Sequence, residues 1–240
     1  MNELSIIIPC PTATDTLWGF IERLVSLFMN NPADVDVIIV ANEDIHIDQR
    51  QLKAVRQRFP WLKLNVLMRH GHHAYGALIR FGMAYSLSRY VAIVSPYGGD
   101  DITLLSPMLS KIRKGVQLVQ ATRLPQDMDA QAYPLRFRWY QRIYRLLSRW
   151  MLGQDTQDST YGFKMVDRVF IQSLGLTLNG YSISPEITYK TLLAGGKVVY
   201  LSSHLQQAPL NKDFKLYREG LGFVWVLLRG FCHRLGMLWF

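Results

Sequence analysis

Short apolar runs, each cut off by a proline, a glycine pair or a polar cluster, punctuate the first half of the chain. They fall at 4–8 (LSIII), 35–41 (VDVIIVA), 62–68, 90–94 (YVAIV) and 116–121. Rich in β-branched residues and too short for helices, they read as buried strands. Between them lie stretches whose apolar residues recur every three or four positions. Thr14 and Asp15 give a helix-start signal, and Leu17, Ile21, Leu24, Val25 and Phe28 follow at helical spacing. Residues 49–58, 74–88 and 106–114 repeat the helical pattern. Five alternations of strand and helix predict an α/β fold, a single Rossmann-like domain with a mostly parallel sheet flanked by helices.

From residue 134 the pattern changes. LRFRWYQRIYRLLSRW reads as a helix with Arg138, Arg142, Arg145 and Arg149 along one face and Trp139, Ile143, Leu146, Leu147 and Trp150 opposite. An acidic turn at 154–158, a short segment at 161–166, a helix at 185–193 and a strand at 197–202 follow. Residues 216–240 are apolar and tryptophan-containing, interrupted by Arg229, His233 and Arg234. The organisation expected is one domain over 1–210 with an amphipathic helical tail over 211–240.

Composition narrows the partners. The chain has 240 residues, 49% hydrophobic and 19% charged, with a formal net charge of +9. Such a balance favours anionic partners: a phosphorylated ligand, nucleic acid or an anionic membrane face. No nucleic-acid-binding motif is present, so nucleic acid is set aside. Cys10 and Cys232 make neither a disulfide framework nor a zinc spacing, which suits a reducing compartment. The start MNELSIIIPC lacks the basic lead and apolar length of a signal peptide. No apolar run reaches the roughly 18 residues of a spanning helix. A cytoplasmic protein, peripheral on the inner face of the membrane, is the expectation.

The candidate chemistry centres on YVAIVSPYGGDDITLLSPML, residues 90–109. A strand ends abruptly, and Asp100 and Asp101 follow its carboxyl end, where open α/β sheets place ligands. The same residues are also favoured helix caps. Further motifs stand in order around this stretch: LSIIIPC, VDVIIVAN, AYGALIRFG, QATR ending at Arg123, DSTYGFKMVDR, and SPEITYKTLLAGGKVVYLS. Together they resemble a family-2 glycosyltransferase of the GT-A fold, nearest to the polyprenyl-phosphate sugar synthases, over roughly residues 4–215. The chain departs from that family at three places. Ser95 and Tyr97 occupy the D-x-D positions. Ala41-Asn42 replaces the acidic pair after the second strand. Cys10-Pro11-Thr12-Ala13 replaces the loop that usually carries an acidic residue.

The resemblance implies a role for each candidate. Asp100, Asp101, Asp158 and Arg123 are the catalytic candidates, with Asp100 and Asp101 also the ligands of a Mg²⁺ or Mn²⁺ ion, which prefers hard oxygen donors. Pro9, Asn42, Glu43, Gly76, Arg80, Ser95, Tyr97, Glu186 and Lys212 are the nucleotide-sugar-binding candidates. Of these, Asn42 and Glu43 would hold the nucleoside. Arg80, Arg123, Lys212 and Lys215 would face phosphate, because guanidinium suits phosphate geometry. Asp158 would bind acceptor or orient Arg123. His70, His72 and His73 form an H-G-H-H cluster whose alternatives are metal binding and simple solvent exposure.

The activity implied is inverting transfer of a sugar from a nucleotide-diphosphate sugar to a lipid-phosphate acceptor, such as a polyprenyl phosphate, or to a cell-envelope glycan precursor. The alternative is a non-catalytic nucleotide-sugar-binding or scaffold protein of the same fold, motivated by Ser95 and Tyr97. The arginine face and the tail suggest an anionic membrane surface. Packing of the tail on the domain itself, or a homodimer through it, are its other uses.

Overall fold

The computed structural model describes residues 2–29, 35–71, 73–123, 135–203 and 216–240. The strands are β1 (Leu4–Cys10), β2 (Val35–Asn42), β3 (Lys63–Arg69), β4 (Tyr90–Ile93), β5 (Leu118–Thr122), β6 (Lys164–Asp167) and β7 (Val198–Ser202). The helices are α1 (Leu17–Ser26), α2 (Gln49–Arg58), α3 (Tyr75–Tyr85), α4 (Leu105–Ile112), α5 (Leu135–Leu152), α6 (Arg168–Ser173), α7 (Ile183–Leu193) and α8 (Leu216–Arg234). A single turn of 3₁₀ helix, Ile102–Leu104, precedes α4.

One seven-stranded sheet runs β3-β2-β1-β4-β6-β5-β7. All pairings are parallel except those of β6, which is antiparallel to both β4 and β5. The expected α/β architecture is thus the observed one. The apolar runs of β1 and β2 are continuous because both faces are covered. Leu4, Ile6 and Ile8 of β1 enter one core with Val37 and Ile39 of β2, while Ile7, Ile38 and Val40 enter the core on the other side. Helix α3 lies close on that second face. A Cβ at Gly82 would come within 2.9 Å of Ile7 Cγ2 and 3.0 Å of Val40 Cγ2, so glycine permits the contact.

Two elements escape the sequence pattern. β6, only four residues long, overlaps the short segment at 161–166, to which the periodicity assigns no element, and α6 follows it directly. The third core joins α5, α7 and α8 through Tyr144, Leu152, Tyr189, Phe223, Val226 and Leu227. Here the outward side of α5 is the reverse of a simple amphipathic reading. The buried positions are Tyr144, Ser148, Met151 and Leu152, and the tryptophan–leucine stripe faces out. No helix among the described residues is long and apolar enough to cross a membrane.

The topology creates a crevice. From β1 the chain progresses outward to β2 and β3, then returns through α3 to β4 on the other side of β1. That reversal is the topological switch point at which open α/β sheets bind ligands beyond their strand ends. Pro9 helps to open it. β1 pairs with β4 only over Leu4–Ile7, and the last bond there is from the Val94 N–H to the Ile7 carbonyl. Pro9, lacking an N–H, lies beyond the end of that ladder while β1 continues beside β2 to Cys10.

Candidate nucleotide-sugar site

Three loops bound the crevice, and side chains tie them together. The loop after β1 is fastened to the loop after β4 by Tyr97, which is 4% exposed. Its hydroxyl donates to the Thr12 carbonyl at 2.8 Å and accepts from the Thr12 N–H at 3.1 Å. Thr16 adds a second tie, its Oγ1 donating to the Pro96 carbonyl at 2.6 Å. Asn42, 1% exposed at the end of β2, ties the loop after β1 to the loop after β3. Its amide donates to the Pro11 and His73 carbonyls at 3.3 and 3.1 Å, and its Oδ1 accepts from the His73 N–H at 3.0 Å. Tyr97 and Asn42 therefore brace the rim with their polar atoms.

The two aspartates after β4 have opposite environments. Gly98 and Gly99 both have φ above +80°, a conformation that favours glycine, and they turn the chain back on the strand end. This brings Asp100 Oδ2 to 2.7 Å from the Ser95 N–H and Asp100 Oδ1 to 2.8 Å from the Tyr161 hydroxyl. Burial pushes the Asp100 carboxyl up to about 6, against the opposing pull of those two donors and of Arg123. Asp101 is partly exposed. Its Oδ1 caps the 3₁₀ turn, accepting from the Thr103 N–H at 3.2 Å and from the Thr103 hydroxyl at 2.5 Å. The capping reading thus holds for Asp101.

Arg123 and Asp158 form a buried charged pair at the site. Arg123 donates from Nε to Asp158 Oδ2 and from Nη2 to Asp158 Oδ1, each at 2.8 Å, and its backbone N–H donates to Oδ2 at 3.0 Å. The side chains are 12% and 2% exposed. Burial raises the Asp158 carboxyl, but the guanidinium charge and these hydrogen bonds outweigh it and hold the group below the usual carboxylate range. Phe137 and Tyr161 rings lie 5.2 and 4.6 Å from the guanidinium carbon, fixing its plane. Gln141 of α5 reaches the same corner, donating to Thr160 Oγ1 at 2.8 Å. Beneath the pair Lys164 is fully buried, donating to Gln120 Oε1, Ser159 O and Thr188 Oγ1. Burial drives its pKa well below the usual lysine value.

The remaining candidates have structural partners. Glu43 accepts from the Gly71 N–H at 2.8 Å and meets His70 Nδ1 at 2.5 Å, which together lower its pKa. Arg80 donates to the Leu176 carbonyl and to Asn179 Oδ1. Glu186 is buried, accepts from the Thr177 and Leu178 N–H groups and pairs with Lys190 at 3.1 Å. Gly76 fits under this loop: a Cβ there would lie 2.7 Å from both the Leu178 and Gly180 carbonyl oxygens. Arg80, Glu186 and Gly76 thus act on one loop, 176–180, which abuts α3. Lys212, Lys215 and His72 lie outside the described residues. The sequence reading missed Thr12 and Tyr161. Tyr161 stands in the quoted T-Y-G-F segment, but its contacts with Asp100 and Arg123 join residues far apart in the chain and leave no local signal.

No family model matches the chain, and no curated protein matches its sequence. Solved structures do match. Glucosyl-3-phosphoglycerate synthase from Mycobacterium tuberculosis, in complex with Mn²⁺, uridine-diphosphate-glucose and phosphoglyceric acid, superposes with a TM-score of 0.68 at 14% identity, covering 99% of this chain and 81% of that one. The same enzyme with Mg²⁺ and uridine diphosphate gives 0.65 at 15% identity, covering 99% and 80%. A mycobacterial protein gives 0.64 at 15% identity, covering 99% and 76%. The chain has the GT-A glycosyltransferase fold.

Proposed function

We propose that this protein transfers a sugar from a uridine-diphosphate sugar to an anionic acceptor, with inversion. The observation that carries the reading is the braced crevice at the switch point, with the Arg123–Asp158 pair at one side. The solved neighbours that hold uridine diphosphate have this fold and add support at the level of the fold. Asn42 and Glu43 shape the loops on the nucleoside side. An acceptor phosphate oxygen attacks the anomeric carbon, a carbon–oxygen bond forms, and the bond to the departing uridine diphosphate breaks. An acceptor that is already ionised needs no strong base, so the protein's work is orientation and charge stabilisation. Arg123, locked by Asp158 and two aromatic rings, orients the acceptor anion. Asp100, engaged by Ser95 and Tyr161, is a positioning residue that fixes the loop after β4.

A Mg²⁺ or Mn²⁺ ion fits this site in one way. Among the described residues no three His, Cys, Asp or Glu side chains gather into a metal-holding group. Mg²⁺ commonly uses only one or two carboxylates and takes other ligands from substrate phosphates and water. Asp101 Oδ1 is engaged by Thr103, and its other carboxylate oxygen would be the protein's ligand to the cation, with substrate phosphate and water supplying the rest. When bound, the cation would neutralise charge on the departing diphosphate. Isothermal titration of uridine diphosphate with and without Mn²⁺ tests this. Asp101→Asn should remove the Mn²⁺ enhancement, and Asp100→Asn should keep it. An enhancement that survives Asp101→Asn puts the cation elsewhere.

For the acceptor, we take a polyprenyl phosphate in preference to a small phosphorylated acid. Helix α5 supports this, because it lines the arginine corner through Phe137 and Gln141 and carries an exposed apolar stripe. Ser95 and Tyr97 at the D-x-D positions favour one rival, a nucleotide-sugar-binding protein without turnover. Uridine-diphosphate binding with no sugar transfer to either acceptor class would select the rival.

A further inference from the structure

Helices α5 and α8 run side by side in the same direction. Tyr140 lies against Gly220, the Tyr144 hydroxyl donates to the Phe223 carbonyl at 2.9 Å, and Leu152 lies against Gly230. On α5 the exposed apolar residues Trp139 and Ile143 fall one residue before Tyr140 and Tyr144, with Leu135, Leu146 and Trp150 on the same stripe. On α8 Leu221 falls one residue after Gly220 and Val224 one after Phe223, with Trp225 and Leu228 beside them. Each residue turns a helix by about 100°. In two parallel helices, a turn backward from the contact on one and forward from it on the other point to the same side. The two stripes therefore form one face, and Trp150 stacks on Phe231 where they meet, at 6.1 Å between ring centroids.

This face is strongly apolar and is bordered by arginines. Trp150 is 73%, Leu146 69% and Leu221 76% exposed. Helix α5 carries five arginines and no carboxylate. Arg136, Arg142 and Arg149 are exposed, and Arg142 lies 5.8 Å from the Trp139 ring. Exposed apolar patches with such a rim mark interaction sites. The occupant is constrained by charge. A second copy docked through a two-fold axis would set the arginines of one α5 against those of the other. An anionic bilayer accepts the arginines at its headgroups and the tryptophans at its interface.

We propose that the common face of α5 and α8 docks on an anionic lipid bilayer, lying in the headgroup boundary without crossing it. This deepens the polyprenyl-phosphate reading, because the opposite side of α5 reaches the Arg123 corner. Docking holds that corner one helix diameter, roughly 10 Å, from the headgroup boundary.

The test is flotation of the full-length protein with vesicles of phosphatidylcholine alone or enriched in phosphatidylglycerol. The protein should rise with the anionic vesicles at low salt and detach as salt screens the charges. Arg142→Gln with Arg149→Gln should weaken binding about thirty-fold. Leu146→Ser with Trp225→Ser should abolish it, with the melting temperature and uridine-diphosphate titration unchanged. A protein that stays unbound at low salt overturns the proposal, as does binding that both double variants retain. So does a concentration-dependent dimer, seen by light scattering and lost in Leu146→Ser with Trp225→Ser, if vesicles fail to bind. Docking by a protein that does not bind uridine diphosphate would overturn the transferase reading while leaving the docking face in place.

Discussion

The strand-end crevice and the α5/α8 face treat charge and apolar surface in opposite ways. In the crevice, polar side chains are held by named partners, as Asp158 is by Arg123 and Asp100 by Ser95 and Tyr161. On the α5/α8 face, tryptophans and leucines stand in solvent among arginines. A buried charge left unpaired is costly, so the crevice is a place where geometry is fixed by energy. Exposed apolar groups cost the fold little. Under the docking proposal, their clustering marks the surface that a bilayer would cover. Substitutions in the two regions should therefore separate stability from association.

The largest effect should come from breaking the buried pair. Asp158→Ala leaves Arg123 without its carboxylate in a site where it is 12% exposed. A loss of about 3–5 kcal/mol is expected, read as a shift of the urea midpoint. Sugar transfer should vanish as well. A variant that melts like the parent would show that the crevice is not held by this pair.

Asp100 should give the next largest effect, with the opposite sign. Its carboxyl is pushed up to about 6 by burial, from an ordinary value near 3.8. Between those values the folded chain holds a proton that the unfolded chain has lost. Ionisation therefore penalises the fold above pH 6, and the penalty is relieved as pH falls towards 4. Asp158 works the other way: its stabilisation is full above its unfolded pKa and is lost below about pH 4. Stability should therefore rise on acidification from neutrality and then fall. Asp100→Asn should flatten the rise and stabilise the protein at pH 7 by on the order of 2–3 kcal/mol. An asparagine fits, because its carbonyl can accept from Ser95 and its amide can donate to the Tyr161 hydroxyl, which lies 2.8 Å from the Gly99 carbonyl. Melting curves of the two proteins from pH 4 to 7 decide it: parallel curves would show that Asp100 does not titrate there.

Gly76 should follow. An alanine methyl would meet two carbonyl oxygens at 2.7 Å, and those belong to a backbone loop clamped by Glu186. About 1–3 kcal/mol of destabilisation is expected, measurable by thermal melting.

These residues also show what a sequence discloses. The strands of the nucleotide half were legible because runs such as VDVIIVA are buried on both faces. Short antiparallel β6 was not, since four residues carry no period and its place between β4 and β5 depends on the whole sheet. The quoted motifs fall around one crevice at the strand ends, but the partners of their side chains could not be read from them. Nothing in Asp100-Asp101 tells which one the Gly98-Gly99 turn will bury. Asn42 and Tyr97 sit at the strand ends as expected, yet their polar atoms meet loops that only the folded chain brings near. On α5 both sides look apolar in sequence, Trp139 and Leu146 on one and Tyr144 and Met151 on the other. Packing by α7 and α8 decides which is covered.

The smallest effect expected on stability is at Leu146. It is 69% exposed, so the folded chain hides little of it from water, and a serine there removes few contacts. Exposed substitutions of this kind change stability by about 0.5 kcal/mol or less. Serine is a weaker helix former than leucine, which adds a few tenths of a kcal/mol at most. A buried leucine would cost several times that. The urea midpoint of Leu146→Ser should therefore match the parent within error, while its vesicle binding falls. If Leu146→Ser instead unfolds early, the residue is covered in solution by the protein's own chain or by a second copy. The contrast between a crevice built for stability and a face built for association would then be lost at that position.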